Sequence, residues 1–178
     1  MEKAQKPWSV PVAVEDIPDA GAHVEIEAPE AARTDLAEIA GLRDLPHLSA
    51  IFDLVRQGAG VHVRGNVHAR LGQTCVVTLE PLENELEEAI DLVFAPKADE
   101  ASATGNADQP PDDEEAPEPL IGGQLDLGAI ATEFLLLGID PYPRKAGAEF
   151  LPPKAGTEGT RPFAALEALK KRMGGNQS

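Results

Sequence analysis

The stretch VRGNVHARLGQTCVVTLEPL, residues 63–82, decides how the rest of the chain is read. Taken from Val61 onward, Val61, Val63, Val67 and Ala69 fall on one side of an extended strand. His62, Arg64, Asn66, His68 and Arg70 fall on the other. Residues directly opposite in an antiparallel pair share a sheet face, so facing predicts the register of the next strand. A two-residue turn at Leu71-Gly72 would set His68 against Cys75 and Arg64 against Leu79, mixing polar with apolar. A three-residue loop, Leu71-Gly72-Gln73, sets Ala69 against Cys75, Val67 against Val77, Arg64 against Glu80 and Arg70 against Thr74. That register is the expectation. It turns Cys75 to the apolar side, away from His62 and His68, so no shared metal site is expected.

The polar row has two readings. One is a solvated strand face, in which an exposed Arg64–Glu80 pair contributes only ~0.2–1 kcal/mol. The other is a basic strip of His62, Arg64, His68 and Arg70 that meets phosphates or an acidic partner. No aromatic side chain is interleaved with the strip to stack on bases, which puts the solvated reading ahead.

The question matters because the chain is acidic, with a net charge of −16 over 178 residues. The acidity is uneven. Residues 98–119 hold eight acids and no basic residue, whereas residues 141–178 hold seven basic residues and three acids. An acidic total therefore does not by itself exclude nucleic acid. With aromatics at 4%, the core must come from Val, Leu, Ile and Ala. The single cysteine excludes an internal disulfide and a CxxC pair. No leader-like apolar run and no stretch of ~20 apolar residues is present, so a soluble, cytoplasmic protein is expected.

Along the chain, WSVPVAV (8–14), AHVEIEA (22–28) and LSAIFDLVRQ (48–57) read as strands. ELEEAIDLVF (85–94) reads as a strand, with a helix as the competing assignment. Pro29 opens a helix carrying Ala32, Leu36, Ile39 and Ala40, and Gly41 ends it. In LDLGAIATEFLLLG (125–138), Asp126 caps a helix with a stripe of Leu127, Ile130, Ala131, Phe134 and Leu135. Leu136 and Leu137 widen that surface, so packing on more than one side is expected. Residues 98–119 cannot bury enough surface to order themselves and read as a disordered loop, with ends roughly 25 Å apart. The expected fold is α+β: a mainly antiparallel sheet, possible to curl into a barrel, two packed helices and a long acidic internal loop. The domain is expected over 1–150, with 151–178 a basic tail holding a short helix at 162–172.

No P-loop, dinucleotide fingerprint, HExxH or GxSxG pattern occurs. Cys75 reads as a small core residue rather than a nucleophile. His23 and His47 lie beside turn residues and read as exposed. The carboxylates of LENELEEAID (82–91) lack the glycine-bent loop of a hard-cation site and read as a solvated face. No case for an enzyme emerges, and no cofactor or metal is expected.

The blocks RGNVHARLGQTCVVTLEPL and LDLGAIATEFLLLGIDPYPRKAG, separated by an acidic break, resemble the YceD family of bacterial proteins linked to accumulation of large-subunit ribosomal RNA. The resemblance runs from about Trp8 to Phe150, and RPFAALEALKK is similar to the family's NPFAAL ending. It rests on Gly65, Cys75, Leu79, Pro81, Leu136, Pro141 and Pro143. It implies a role in synthesis, processing or stability of that RNA, without catalysis. Many members carry a CxRC-type pair where this chain has Cys75-Val76-Val77-Thr78, so any metal-linked role of theirs does not transfer. Two modes of action follow. In one, His62, Arg64, His68 and Arg70, helped by Lys170, Lys171 and Arg172, touch ribosomal RNA. In the other, the acidic loop binds a basic large-subunit ribosomal protein. A monomer without membrane contact is expected in both.

Overall fold

A computed structural model describes residues 7–96 and 117–150. The chain divides into two units, residues 1–148 and 149–178, and the architecture below belongs to the first.

Strand β1 (Pro11–Ala13) and a single 3-10 turn (Val14–Asp16) lead into β2 (Ala22–Glu27) and helix α1 (Glu30–Ala40). Three long strands follow: β3 (Asp44–Gln57), β4 (Gly60–Thr74) and β5 (Pro81–Pro96). Short strands β6 (Glu118–Leu120) and β7 (Gln124–Asp126) precede helix α2 (Leu127–Gly138). The main sheet has the order β2-β3-β4-β5-β6 and does not close into a barrel; β1 and β7 form a separate pair. Every junction of the main sheet is antiparallel except β5–β6, which is parallel. The expected α+β class with a mainly antiparallel sheet and two helices is what the chain forms.

The core follows from alternation. Leu48, Ala50, Phe52 and Leu54 of β3, and Val61, Val63, Val67 and Ala69 of β4, are buried on one sheet face. Leu36 of α1 and Leu127, Ala131 and Leu135 of α2 join the same cluster, so one face of the sheet is covered and the other meets solvent. α1 ends as its sequence requires: Gly41 takes a left-handed φ of 65° and donates to the Ala37 and Glu38 carbonyls. Asp126 caps α2, accepting from the Ala129 N–H and from Ser9 Oγ and the Val10 N–H. That carboxylate ties the N-terminal segment to the helix 116 residues later.

The expected hairpin register is wrong. β4 does not turn at Leu71-Gly72-Gln73 but runs to Thr74, and β5 begins at Pro81, opposite Thr74. Arg64 faces Asp91 rather than Glu80, and Arg70 faces Glu85 rather than Thr74. The physical reason lies in contacts remote in sequence. Gln73 is buried, donating to the Asp140 carbonyl at 2.9 Å and accepting from Asn84 at 2.7 Å. Gly72 lies against Asp44, where any Cβ would collide with the carboxylate. The true turn is Cys75–Glu80: the Cys75 N–H donates to Glu80 O and the Leu79 N–H to Cys75 O, both at 2.9 Å. Leu79 takes a φ of 59° there, unusual for a branched side chain. Val76, Val77 and Thr78 look strand-forming, but the Val76 N–H is taken by the Pro143 carbonyl at 3.0 Å.

Other corrections are smaller. The 48–57 strand begins at Asp44, and the 8–14 strand shrinks to Pro11–Ala13, with Trp8 buried beside it. ELEEAIDLVF is a strand throughout. The end of the 98–119 segment is ordered as β6; residues 97–116, and the 162–172 helix, lie outside the described residues.

Candidate functional site

The solvent side of the main sheet carries the polar row singled out in the sequence. Alternation puts His62, Arg64, Asn66, His68 and Arg70 of β4 on this face, and the ladders fix what flanks each of them. Arg64 lies between Asp53 of β3 and Asp91 of β5. His68 lies between Ser49 and Glu87, and Arg70 between His47 and Glu85. On the outer strand, His23 faces Asp53 and Glu27 faces Ser49. All four histidines of the chain are therefore on one sheet face. His23 is exposed at the start of β2, just after a turn, whereas His47 stands within β3 and is only partly exposed.

One carboxylate pairs with two members of the row. Asp91 accepts from His62 Nε2 and pairs with Arg64 Nε at 3.4 Å. The hydrogen bond from His62, with the Arg64 charge beside it, holds the Asp91 carboxyl below the usual aspartate range. His23 Nδ1 bonds Asp53 at 2.7 Å and its Nε2 lies 3.5 Å from Glu25, so the imidazole's pKa is raised, chiefly by the Asp53 bond. His47 lies 3.8 Å from Glu27. His47, His68, Arg70, Glu85 and Glu87 line one shallow hollow of about 380 Å³. Lys170, Lys171 and Arg172, the other basic residues expected to bind, lie outside the described residues.

The residues carrying the family resemblance divide between places. Cys75, Leu79 and Pro143 meet at the β4–β5 turn, and Pro81 opens β5 beside them. Gly65 sits mid-sheet, where a Cβ would collide with the Ile51 carbonyl oxygen. Leu136 is on the outward side of α2, and Pro141 is exposed in the segment after it. In the turn, Cys75 is buried and its Sγ accepts the Lys145 N–H at 3.3 Å and the Thr78 N–H at 3.4 Å. These donors, the Lys145 one foremost, pull the thiol pKa down to about 6. Thr78 Oγ1 bonds Glu80, whose carboxylate is held low mainly by Lys145 Nζ at 2.9 Å. A second thiolate is missing, and among the described residues no group of three or more His, Cys, Asp or Glu converges as a metal site. The turn does not fit a zinc ion.

Two features escaped sequence reasoning. The carboxylates flanking the row, Asp53, Asp91, Glu85 and Glu87, are visible only once strand pairing is known. The apolar surface left open beside α2, bounded by Ile121 and Leu137, was signalled by the all-round apolarity of that helix.

An open five-stranded sheet with a mixed-charge face, backed by two helices, defines a small α+β protein. No described helix is long and apolar enough to cross a membrane. The model of the YceD family, described as large ribosomal RNA subunit accumulation protein YceD, matches residues 63–170. The chain belongs to this family. The match begins inside β4, so β1 to β3 and α1 lie outside it. Neither the curated proteins nor the solved structures searched contain a match to this chain.

Proposed function

We propose that this protein supports synthesis, processing or stability of the large-subunit ribosomal RNA without catalysing a reaction, and that it does so in the cytoplasm by holding a basic protein partner. Family membership supports the general role. The observation that carries the mode of action is the flanking of Arg64, His68 and Arg70 by Asp53, Asp91, Glu87 and Glu85. Asp91 lies 3.4 Å from Arg64, and carboxylates stand across the ladder from His68 and Arg70, so a phosphate approaching the row meets negative charge beside its cations, which weakens the attraction that non-specific RNA binding needs. Cationic side chains meet the opposite situation, with a net charge of −16 and eight acids concentrated in residues 98–119.

The test is depletion of the protein, followed by the ratio of large- to small-subunit ribosomal RNA with precursor ends mapped. A selective fall in the large-subunit RNA supports the role; an unchanged ratio with normal ends removes it. Replacing residues 98–116 by a neutral segment of equal length then separates the modes. Loss of binding to purified basic large-subunit proteins favours the adaptor. Direct RNA contact is the second reading, because His47, His68 and Arg70 share one hollow. It predicts RNA binding that Arg64→Gln and Arg70→Gln weaken and that the neutral replacement leaves intact.

A further inference from the structure

Helix α2 is apolar almost all round: its sequence LGAIATEFLLLG carries one charge, Glu133. Such a helix is ordinarily covered on every side. Here Leu127, Ile130, Ala131 and Leu135 are buried against the fold, while Leu137 is 74% exposed. Beside it runs a groove of about 800 Å³ lined by Phe94, Pro119, Ile121, Ile130, Phe134 and Leu137 among others. Ile121 at its edge is 80% exposed. A second, smaller apolar hollow lined by Trp8 and Leu136 adjoins it, sharing Ala129, Glu133 and Leu137. Exposed apolar surface of this continuity marks an interaction site more often than chance.

The charges decide what fits. Among the described residues, the groove is lined by Glu118, Asp126 and Glu133 and by no lysine, arginine or histidine. Asp126 is spent on capping α2. Among the described residues, Glu118 and Glu133 make no ion pair or side-chain hydrogen bond, and both are exposed. The acidic insertion also leaves and rejoins the fold at this rim, since Phe94 and Glu118 both line the groove and pair with each other. An anionic ligand is repelled from such a rim, and a cationic one is drawn to it. β6 covers the β5 edge at Phe94–Pro96, and α2 lines the groove with the side chains of Ile130, Phe134 and Leu137. A helix satisfies its own backbone and can lay an apolar face against such side chains.

We infer that the groove between α2 and the β5–β6 edge is the docking site for a basic amphipathic helix of a protein partner. The helix's apolar side chains sit between Phe94, Ile121 and Leu137, and its lysines or arginines lie against Glu118 and Glu133. This assignment rests on the basic-partner reading above and supplies its surface.

The probe is a fluorescein-labelled leucine–lysine helix about four turns long, titrated into the full-length protein by anisotropy, with hydrogen exchange to map protection. Expected is binding with protection of α2 and of Phe94 to Pro96. The doubly substituted Ile121→Ser, Leu137→Ser protein, both positions exposed and so harmless to folding, weakens it about tenfold or more. Glu118→Gln with Glu133→Gln weakens it and flattens its salt dependence. A leucine–glutamate helix that binds as well, an RNA oligonucleotide that protects the same residues, or protection elsewhere overturns the assignment. Binding unchanged in both groove variants but lost when residues 98–116 are neutralised overturns the groove and leaves the basic-partner reading standing. If neither the cationic helix nor purified basic large-subunit proteins bind, both fall.

Discussion

Asp91 stands directly opposite Arg64 in the β4–β5 ladder and also accepts a hydrogen bond from His62, one outward position along β4. One carboxylate thus engages two of the four side chains that a basic strip would offer.

Asp91→Asn should therefore release both. Affinity for a short RNA oligonucleotide, measured by anisotropy at low salt, should rise on the order of several-fold, with a steeper salt dependence. An acid titration adds a second readout. The Asp91 carboxyl is held below its ordinary value by His62. Its contribution to stability is therefore complete above the unfolded value of about 3.9 and lost as pH falls through the folded one. The stability gap between wild type and Asp91→Asn should close below about pH 4, as followed by denaturant midpoints.

Cys75 should give the opposite end of the pH scale its character. Its folded pKa is about 6, against about 8.5 for a free thiol. The lowered value means that stabilisation is present in full above the unfolded pKa and lost as pH falls through the folded one. Unfolding free energy should rise from about pH 6 to about pH 8.5 in the wild type, and Cys75→Ser should flatten that slope. Because Cys75 is fully buried, alkylation should stay slow even where the thiolate is formed.

Gly65→Ala should cost about 1–3 kcal/mol. A methyl group there meets the Ile51 carbonyl oxygen, which is backbone and cannot swing aside. Urea unfolding with an unchanged m-value checks this. An unaltered midpoint would show that β3 and β4 can separate locally at no cost.

Asp126→Ala should cost about 1–2 kcal/mol through loss of the α2 cap. Its second effect is release of Ser9 and the Val10 N–H. Amide exchange should accelerate in β1 and β7 as well as in the first turn of α2, whereas Asp126→Asn should preserve much of the protection.

Most of the elements were legible because they obey short-range rules. α1 was readable from Pro29 to Gly41, and α2 from its Asp126 cap. β2 was readable from alternation, while β5 fitted strand and helix spacing alike and was decided by Val93 and Phe94 ahead of Pro96. The polar row on β4 was also correct in its facing. What failed was the turn, because Gln73 and Gly72 are held in the strand by Asp140, Asn84 and Asp44, partners that no local pattern reveals. That one displacement moved every cross-strand partner, and it hid the flanking carboxylates that change the meaning of the row. The groove beside α2 was half legible: Leu136 and Leu137 signalled a second apolar side, but Pro119 comes from a strand whose first residues composition had assigned to a disordered loop, and Ile121 directly follows that strand.

The parallel pairing of β5 with β6 has a consequence for how this chain can vary. A hairpin cannot join parallel neighbours; the connection must travel back along the strand before the next one starts. Phe94 pairs with Glu118 and Pro96 with Leu120, so the intervening segment always begins at the far end of its own partner strand. Its length has a floor set by that return path. Above the floor, closure entropy grows only as the logarithm of length, about 0.6 kcal/mol for each doubling. Insertions there cost little, while removing residues up to 119 would take a strand with them. Relatives should therefore differ freely in how long this segment is, yet retain a short strand at its return.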